Sequence, residues 1–266
     1  MLSATGPIGV FDSGYGGLTI LDKIRELLPQ YDYIYLGGQC PYPIRNKIIR
    51  SCFMSLHCKL YASCSILGCP LVILACNTAS AKALRSIQEN DLPHIDATRR
   101  VLGVIRPTAE CIGDITVFAA TVGLLATAGT VKSQSYPIEL HKLFPDIQLT
   151  GVACPLWVPL VENNEFNSPG ADYFVQEYIN QLLEQDPKID TIILGCTHYP
   201  LLIEKIRQFT PPHIRLVAQG EYVAASLKDY LRRHSEIRTR CTAGGTCEFL
   251  TTESVEKFQE AASIFL

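Results

Sequence analysis

Short apolar runs alternate with longer amphipathic segments along most of this chain. Ile8–Phe11 and Tyr33–Leu36 are the first two apolar runs, and Leu18–Leu28 between them has the spacing of apolar positions that predicts an amphipathic helix. Strands separated by helices of this length are typical of βαβ units, so the sequence predicts an α/β fold with parallel sheets. The same pattern predicts further strands within Leu71–Ser80, at the start of Thr121–Lys132, and at Val101–Ile105, Thr116–Ala119, Gly151–Cys154, Thr191–Leu194, Arg215–Ala218 and Cys247–Thr251. It predicts further helices at Ile44–Leu67, Ala81–Glu89, Asp172–Glu184, Leu201–Phe209, Tyr222–Arg233 and Val255–Phe265.

Two of the apolar runs end in a cysteine that is followed by small polar residues. Leu71–Ser80 reads LVILACNTAS and contains Cys76, and Thr191–Pro200 reads TIILGCTHYP and contains Cys196. The carboxyl end of a buried parallel strand is where α/β proteins place their binding and catalytic groups. Both cysteines are therefore candidates for the same site.

The two halves of the chain repeat each other in order. Gly9–Ser13 aligns with Gly123–Thr127, 114 residues later, and Leu74–Thr78 aligns with Leu194–His198, 120 residues later. Two similar offsets in the same order predict a duplicated α/β unit, with two like domains that face a central cleft. The expected division is a first domain of residues 1–97 plus 208–266 and a second domain of residues 98–207.

Composition narrows the class of protein without identifying a partner. The chain has 266 residues and a net charge of −3, so we expect neither a nucleic-acid nor a membrane partner, both of which usually require clustered Lys and Arg. Eleven cysteines are present, but none forms a CxxC pair or a zinc spacing, and we expect no metal site. The amino terminus lacks the pattern of a signal peptide, and the apolar stretch Tyr61–Ala75 is too short to span a membrane. A reduced, cytoplasmic protein is expected.

The two strand-end thiols suit proton transfer at a carbon centre. At the start of a helix, the backbone N–H groups and the helix dipole lower the pKa of a thiol, so we expect Cys76 and Cys196 to ionise readily. One thiol would remove a proton from one face of the carbon while the other protonates the opposite face. Neighbouring Asn and Thr side chains and backbone N–H groups would bind a carboxylate.

Three other polar residues are weaker candidates for the same site. Asp12 ends the first strand within DSGYGG, where it could act in the site or simply form the turn. The glycines lack the spacing of a dinucleotide or nucleotide loop. His198 could orient the Cys196 thiol or be structural, and Glu162 on residue pattern alone is a surface acid at a helix end.

Six segments spread over nearly the whole chain combine into a pattern found in one family. They are GVFDSGYGGL, ILACNTAS, ATAGTVKSQSY, ACPLWVPLVE, ILGCTHYPLL and FLTTESVEKFQEAASIFL. With them the chain resembles the glutamate racemases of the cofactor-independent aspartate/glutamate racemase superfamily. The resemblance implies two α/β domains around a cleft, a homodimer, no pyridoxal phosphate or other cofactor, and no metal. It also implies interconversion of L- and D-glutamate, which supplies D-glutamate for bacterial peptidoglycan.

The resemblance also assigns roles to individual residues. Cys76 and Cys196 would be the two catalytic acid/bases. Asp12 would assist Cys76, His198 would assist Cys196, and Glu162 would be a supporting acid near the second thiol. The implied substrate-binding residues are Asp12, Ser13, Tyr42, Pro43, Asn77, Thr78, Thr197 and His198.

One loop departs from the family pattern and leaves the substrate open. Family members read close to GDTxxxPYG after the second strand, whereas Gly37–Pro43 here reads GGQCPYP. Pro43 has no backbone N–H, so a substrate contact made by the usual glycine is lost. Aspartate or another amino acid is therefore an alternative substrate. A non-catalytic amino-acid-binding relative and a thiol hydrolase with a Cys–His–Asp arrangement are further alternatives.

Overall fold

The computed structural model describes residues 5–37, 67–115, 121–251 and 253–266. Three expected features lie wholly or almost wholly outside these ranges: the helix at Ile44–Leu67, the strand at Thr116–Ala119 and the loop that contains Tyr42 and Pro43. The expected roles of Tyr42 and Pro43 in substrate binding therefore have no structural description here.

The strands of the described residues form two sheets, and every strand pair is parallel. The first sheet has the order β4-β3-β1-β2-β9, and the second has the order β6-β5-β7-β8. The strands are β1 Ile8–Phe11, β2 Tyr33–Gly37, β3 Leu71–Leu74, β4 Arg100–Gly103, β5 Thr121–Ala126, β6 Gln148–Ala153, β7 Thr191–Gly195, β8 Arg215–Val217 and β9 Cys247–Thr251. The predicted fold class, two parallel-sheet α/β units, is confirmed.

The two sheets repeat one another in strand order and register. Strands β4-β3-β1-β2 of the first sheet correspond to β8-β7-β5-β6 of the second, and β9 is an addition to the first sheet. Phe11 pairs with Leu74 in one sheet, and Leu125 pairs with Leu194 in the other. These are the positions that the alignment of the two halves makes equivalent, so the duplicated unit predicted from the sequence is confirmed.

Helices connect the parallel strands and cover both faces of each sheet. Within the described ranges the α-helices are α1 Leu18–Leu27, α2 Asn77–Ser86, α3 Leu92–Asp96, α4 Ile105–Ile115, α5 Ala128–Ser133, α6 Ser135–Leu143, α7 Trp157–Glu162, α8 Pro169–Gln185, α9 Ile203–Phe209, α10 Gly220–Arg233, α11 Ser235–Arg238 and α12 Val255–Ala262. A π-helix at Ile87–Asp91 joins α2 to α3, and a 3₁₀ helix at Tyr199–Leu202 precedes α9. The helix after β3 begins at Asn77, four residues earlier than expected at Ala81.

Strand pairing divides the chain differently from the expected domain boundaries. The expected boundary between residues 97 and 98 separates β4 from the first sheet, to which it is hydrogen-bonded through β3. The boundary between 207 and 208 likewise separates β8 from its partner β7 in the second sheet. We therefore propose boundaries near residues 104 and 218, which keep each sheet whole. The division into domains itself stays a prediction.

Alternate residues of the strands enter different cores. Ile8 and Val10 of β1 pack in the cluster that contains α1 and α10, whereas Phe11 and Leu74 pack with α2 on the other face. The second sheet likewise has one core with α7 and α8 and another with α4 and α6. Burial on both faces explains the continuous apolar runs of the sequence. In the described part of the chain, no helix has the length and apolar character to cross a membrane.

Candidate active site

Cys76 lies between β3 and α2 and caps the amino terminus of that helix. Its Sγ accepts a hydrogen bond from the Ala79 backbone N–H at 3.4 Å, and the Ser13 hydroxyl lies 3.2 Å from the same sulfur. The side chain is buried, with a fractional exposure of 8%. β1 and β3 are neighbours in the sheet, which brings the Ser13 loop to the thiol.

The electrostatic setting of Cys76 differs from the expectation. Burial is the largest influence and, together with the nearby charges of Asp12 and Cys196, raises the pKa of the Cys76 thiol to about 12. The hydrogen bonds from Ser13 and the Ala79 N–H lower the pKa, but they do not offset the burial. The expectation that the helix start lowers this pKa is therefore wrong for Cys76, because the loss of water outweighs one backbone N–H group.

Cys196 occupies the equivalent end of β7 but does not begin an α-helix. The 3₁₀ helix Tyr199–Leu202 follows it, with Pro200 in its first turn, and α9 begins only at Ile203. Its sulfur instead lies 3.8 Å from Nδ1 of His198. The expectation of the same helix-start setting for both thiols is therefore wrong: one contacts a backbone N–H and the other an imidazole.

His198 links Cys196 to a carboxylate. Its Nε2 lies 3.1 Å from Oε1 of Glu162, at the end of α7. Burial is the largest influence on the ring and lowers its pKa, but the hydrogen bonds with Cys196 and Glu162 act in the opposite direction. With the charges of Cys196 and Asp12 they raise the pKa of His198 to about 10. The imidazole therefore carries a positive charge at neutral pH beside the second thiol.

The DSGYGG loop holds Asp12 and contacts the second unit. The Asp12 carboxylate accepts a hydrogen bond from the Gly17 N–H at 2.5 Å. Burial raises the pKa of this carboxyl, while the charge of His198 and the backbone N–H groups around it lower the pKa by less. A β-carbon at Gly16 would overlap the His198 ring and the Thr197 hydroxyl, so this position requires glycine.

Three threonine hydroxyls join the two units beside Cys76. Oγ1 of Thr78 lies 2.9 Å from Oγ1 of Thr127 and 3.3 Å from Oγ1 of Thr130. Thr127 also caps α5, where its hydroxyl accepts from the Thr130 N–H at 3.4 Å. Sequence reasoning missed Thr127 and Thr130, although the alignment of the halves makes Thr127 the counterpart of Ser13 and therefore contained the signal.

The Asn77 side chain is hydrogen-bonded to Tyr136 of the second unit and to Gln219 at the boundary between the units, and sequence reasoning missed both contacts. Its Oδ1 accepts from the Tyr136 hydroxyl at 2.8 Å and from Gln219 Nε2 at 3.1 Å, and its Nδ2 donates to Gln219 Oε1 at 2.5 Å. Gln219 Nε2 also donates to the Thr108 hydroxyl at 2.8 Å. A ligand contact from Asn77 would therefore come from its backbone N–H or its remaining amide hydrogen. No local pattern marks Gln219, which is 142 residues away.

Thr197, the residue after Cys196, is buried against the DSGYGG loop and the start of α1. Its backbone carbonyl accepts a hydrogen bond from the Thr19 hydroxyl of α1 at 3.0 Å. The segment after β7, which carries Cys196, is therefore fixed against the first unit. Among the described residues, no group of three or more His, Cys, Asp or Glu side chains is arranged to hold a metal ion.

The arrangement places two thiols with different partners at the ends of equivalent strands. Cys76 is a buried thiol near Asp12, and Cys196 begins a thiol–imidazole–carboxylate chain through His198 to Glu162. Such a chain is also compatible with a thiol hydrolase, which needs one nucleophile and a base. The second thiol distinguishes the alternatives, because proton transfer to two faces of one carbon requires two groups.

Comparisons with known proteins agree with this geometry. The family described as Asp/Glu/Hydantoin racemase matches residues 57–226. A glutamate racemase of Ruegeria sp. (strain TM1040) is 35% identical over 270 residues, which cover 97% of this chain and 96% of the relative. A solved glutamate racemase of Bacillus anthracis has a TM-score of 0.84 at 30% identity, with coverage of 98% of this chain and 93% of that chain. The glutamate racemase of Francisella tularensis subsp. tularensis in complex with D-glutamate has a TM-score of 0.82 at 29% identity, with coverage of 98% and 94%.

Proposed function

This chain belongs to the Asp/Glu/hydantoin racemase family and is an amino-acid racemase, and we propose that it interconverts L- and D-glutamate with Cys76 and Cys196 as its two acid/bases. The observation that carries the mechanism is the placement of the two thiols. They end equivalent strands of two repeated units, and Cys196 lies close enough for its charge to raise the pKa of Cys76. Glutamate is proposed because the relatives named above are glutamate racemases and one of them holds D-glutamate.

The reaction transfers one proton to the substrate and removes another. A thiolate on one side takes the proton from the α-carbon, the pair of electrons remains as a carbanion, and the thiol on the other side supplies a proton to the opposite face. Burial keeps the pKa of Cys76 at about 12, so in the free protein this residue is the proton donor. Negative charge on Cys196 would be balanced by the His198 imidazolium, which favours Cys196 as the first base.

After one turnover the two thiols have exchanged protonation states. Cys196 then carries the proton and Cys76 the negative charge, which is the form that accepts the opposite enantiomer. The protein returns to its first form by converting that enantiomer or by exchanging protons with water. Glu162 and His198 are positioned to stabilise the form with negative charge on Cys196, and Asp12 opposes negative charge on Cys76.

Hydroxyl groups and helix N–H groups near the thiols are the proposed binding groups for the substrate. Thr78, Thr127 and Thr130 present three hydroxyls beside the start of α2. Helix N-termini bind carboxylates through free N–H groups and the helix dipole. We propose that Ser13, Thr197 and the backbone at Asn77 complete the site with this cluster, and that Tyr42 and Pro43 contribute from outside the described residues.

Serine substitution of each thiol tests the mechanism. Cys76→Ser and Cys196→Ser should each abolish racemisation in both directions, because inversion needs both groups and a serine hydroxyl is a far weaker acid than a thiol. Cys247→Ser, in the half-buried β9, is the matched control and should retain activity. Loss of circular dichroism from L- or D-glutamate measures turnover. Near-normal turnover in either active-site variant would exclude the two-thiol mechanism.

The same assay on a panel of L-amino acids tests the substrate. Aspartate remains the main alternative because Pro43 removes an N–H from the expected binding loop. Racemisation of aspartate without that of glutamate would replace the proposed substrate and leave the mechanism intact. Glutamate binding without exchange of the α-hydrogen in D₂O would favour a non-catalytic relative. Family membership favours racemisation over a thiol hydrolase, in which Cys76 has no role.

The proposed cellular role is the supply of D-glutamate for peptidoglycan in the cytoplasm. Expression in a bacterium that requires added D-glutamate should remove the requirement, and the Cys76→Ser variant should not. We further propose a homodimer, which sedimentation velocity of the purified chain would distinguish from a monomer.

A further inference from the structure

One side chain of the first unit is held by Tyr136 of the second unit and by Gln219, which lies at the boundary between the two units. Asn77, the first residue of α2, lies among Thr108 of α4, Tyr136 of α6 and Gln219, which immediately precedes α10. We call these three residues the Asn77 socket. Resting on the proposed function, we infer that the Asn77 socket positions the Cys76 thiol relative to Cys196, with Gln219 as its central positioning residue.

The side-chain amide of Gln219 contacts Asn77 and both other residues of the Asn77 socket. Its Oε1 accepts from Asn77, and its Nε2 lies within hydrogen-bond distance of Asn77 Oδ1, the Thr108 hydroxyl and, at 2.7 Å, the Tyr136 hydroxyl. Gln219 is 2% exposed and Asn77 is 3% exposed. Reciprocal amide hydrogen bonds fix both the distance between the two side chains and the plane in which they lie.

The socket is connected to the second thiol through the sheet. Gln219 follows β8, which pairs with β7, and Cys196 is the residue after β7. Tyr136 and Thr108 lie on helices packed in the same unit, and Tyr136 belongs to the core formed with β5 and β7. Asn77 is therefore tied, through β8 and through the helices α4 and α6, to the sheet in which β7 leads to Cys196.

Asn77 is joined to the first thiol by a single peptide bond. Cys76 is the chain neighbour of Asn77 and the cap of α2, and its Sγ is held to that helix by the Ala79 N–H. A shift of Asn77 therefore moves the thiol with it. Inversion at a carbon needs two groups on opposite faces at near-contact distances, and a misplacement of about 1 Å lowers a rate about a hundredfold.

Two rates can be compared: exchange of the α-hydrogen of L-glutamate with solvent, and inversion of L-glutamate to D-glutamate. A misplaced thiol changes the ratio of these two rates, whereas a loss of folded protein does not. If the carbanion forms at Cys196 but Cys76 is misplaced, more carbanions are reprotonated on the face from which the proton left. When the Cys196 thiol exchanges its proton with D₂O before it returns one to the carbanion, these events leave deuterium in recovered L-glutamate without forming D-glutamate. A purely structural role lowers exchange and inversion in equal proportion, so their ratio does not change.

Two variants and one control make the test. Gln219→Leu removes the central amide, and Tyr136→Phe removes one hydroxyl while it keeps the buried ring. Gln88→Leu is the matched control, because Gln88 also donates a side-chain hydrogen bond, to the Val101 carbonyl at 2.7 Å, but within the first unit only. Starting from L-glutamate in D₂O, mass spectrometry of the separated enantiomers gives the ratio of exchange to inversion.

The expected result is a several-fold higher ratio of exchange to inversion in Gln219→Leu, with a decrease of about ten- to a hundredfold in kcat. Tyr136→Phe should change in the same direction by less, and Gln88→Leu should have the wild-type ratio. A wild-type ratio in Gln219→Leu, or in Tyr136→Phe if the first variant does not fold, overturns the inference. Absence of inversion in the wild-type protein would instead overturn the proposed function.

Discussion

Replacing Glu162 by glutamine keeps the size of the side chain and removes the negative charge that faces His198. The carboxylate oxygen lies 3.1 Å from Nε2 of the imidazole, and the two side chains are 22% and 8% exposed. The other ring nitrogen lies 3.8 Å from the Cys196 sulfur. The substitution therefore alters the charge of the imidazole and, through it, the environment of the second thiol.

The size of the effect follows from a single charged hydrogen bond. Hydrogen bonds between charged groups contribute about 1.5–3 kcal/mol, which corresponds to a decrease of about 1 to 2 in the pKa of His198. If the imidazolium stabilises the transition state by the same amount, kcat/KM falls about ten- to a hundredfold. Because enantiomers have equal free energies, the equilibrium constant is one, and kcat/KM must fall by the same factor in both directions.

Two measurements check the Glu162→Gln prediction. NMR titration of labelled histidine gives the pKa of His198, which is about 10 in the wild-type protein and lower in the variant. Circular dichroism gives turnover from each enantiomer. Glu165→Gln, which changes an exposed acid just after the end of α7, is the matched control and should change neither quantity. A neutral His198 at pH 7 in the wild-type protein, or full activity in Glu162→Gln, would refute the reasoning.

The same pKa predicts a dependence of stability on pH. The pKa of His198 is raised from 6.5 to about 10 in the folded protein, so the fold binds this proton more tightly than the unfolded chain does. The contribution of His198 to stability is complete below pH 6.5 and is lost as the pH rises through about 10. Denaturant unfolding across this range should show a smaller loss in Glu162→Gln than in the wild-type protein.

Other predictions concern the first thiol, the glycine loop and the hydroxyl cluster. Burial raises the pKa of Cys76 from 9.0 to about 12, so its alkylation by iodoacetamide at pH 8 should be about a thousandfold slower than in the unfolded chain. Peptide mass spectrometry measures this rate, and equal rates in the folded and unfolded chains would contradict the burial of the thiol. Gly16→Ala should lower kcat by about tenfold or more in a folded protein, because the added methyl group displaces His198 and Thr197. An unchanged kcat would show that the loop moves to accommodate the methyl group without disturbing the site. Thr130→Val should raise KM for glutamate by about tenfold with little change in kcat if its hydroxyl binds the substrate, and an unchanged KM would exclude that role.

Local sequence patterns predicted the features that depend on neighbours in the chain. The strand at Ile8–Phe11 has the expected bounds because a short, fully apolar run bounded by turn residues leaves few alternatives. The equivalence of Cys76 and Cys196 was predictable because the two units repeat the same strand order, and duplication preserves the order of motifs. The start of α2 was placed four residues late, because Cys76 is an unusual capping residue and Asn77 and Thr78 resemble a loop.

Features that depend on distant residues were not predictable in the same way. The pKa of Cys76 is governed by its burial and by the charges of Asp12 and Cys196, which a helix-start argument does not include. Gln219 reaches Asn77 only after the chain has crossed the second sheet, and a glutamine has no sequence pattern that marks such a contact. The sheet membership of β4 and β8 was likewise hidden, because short strands near a boundary pair according to the whole sheet.

The duplicated fold and the unequal thiols have different physical consequences. Repetition of the strand order gives two strand ends that can place a thiol on each side of one carbon. The equilibrium constant of one requires equal kcat/KM in the two directions, but it does not require the two thiols to have the same environment. A buried thiol beside Asp12 and a thiol beside a charged His198 favour one protonation state of the free protein over the other. Divergence of the two halves can therefore change kcat and KM separately for each enantiomer, while the ratio of the two kcat/KM values stays fixed.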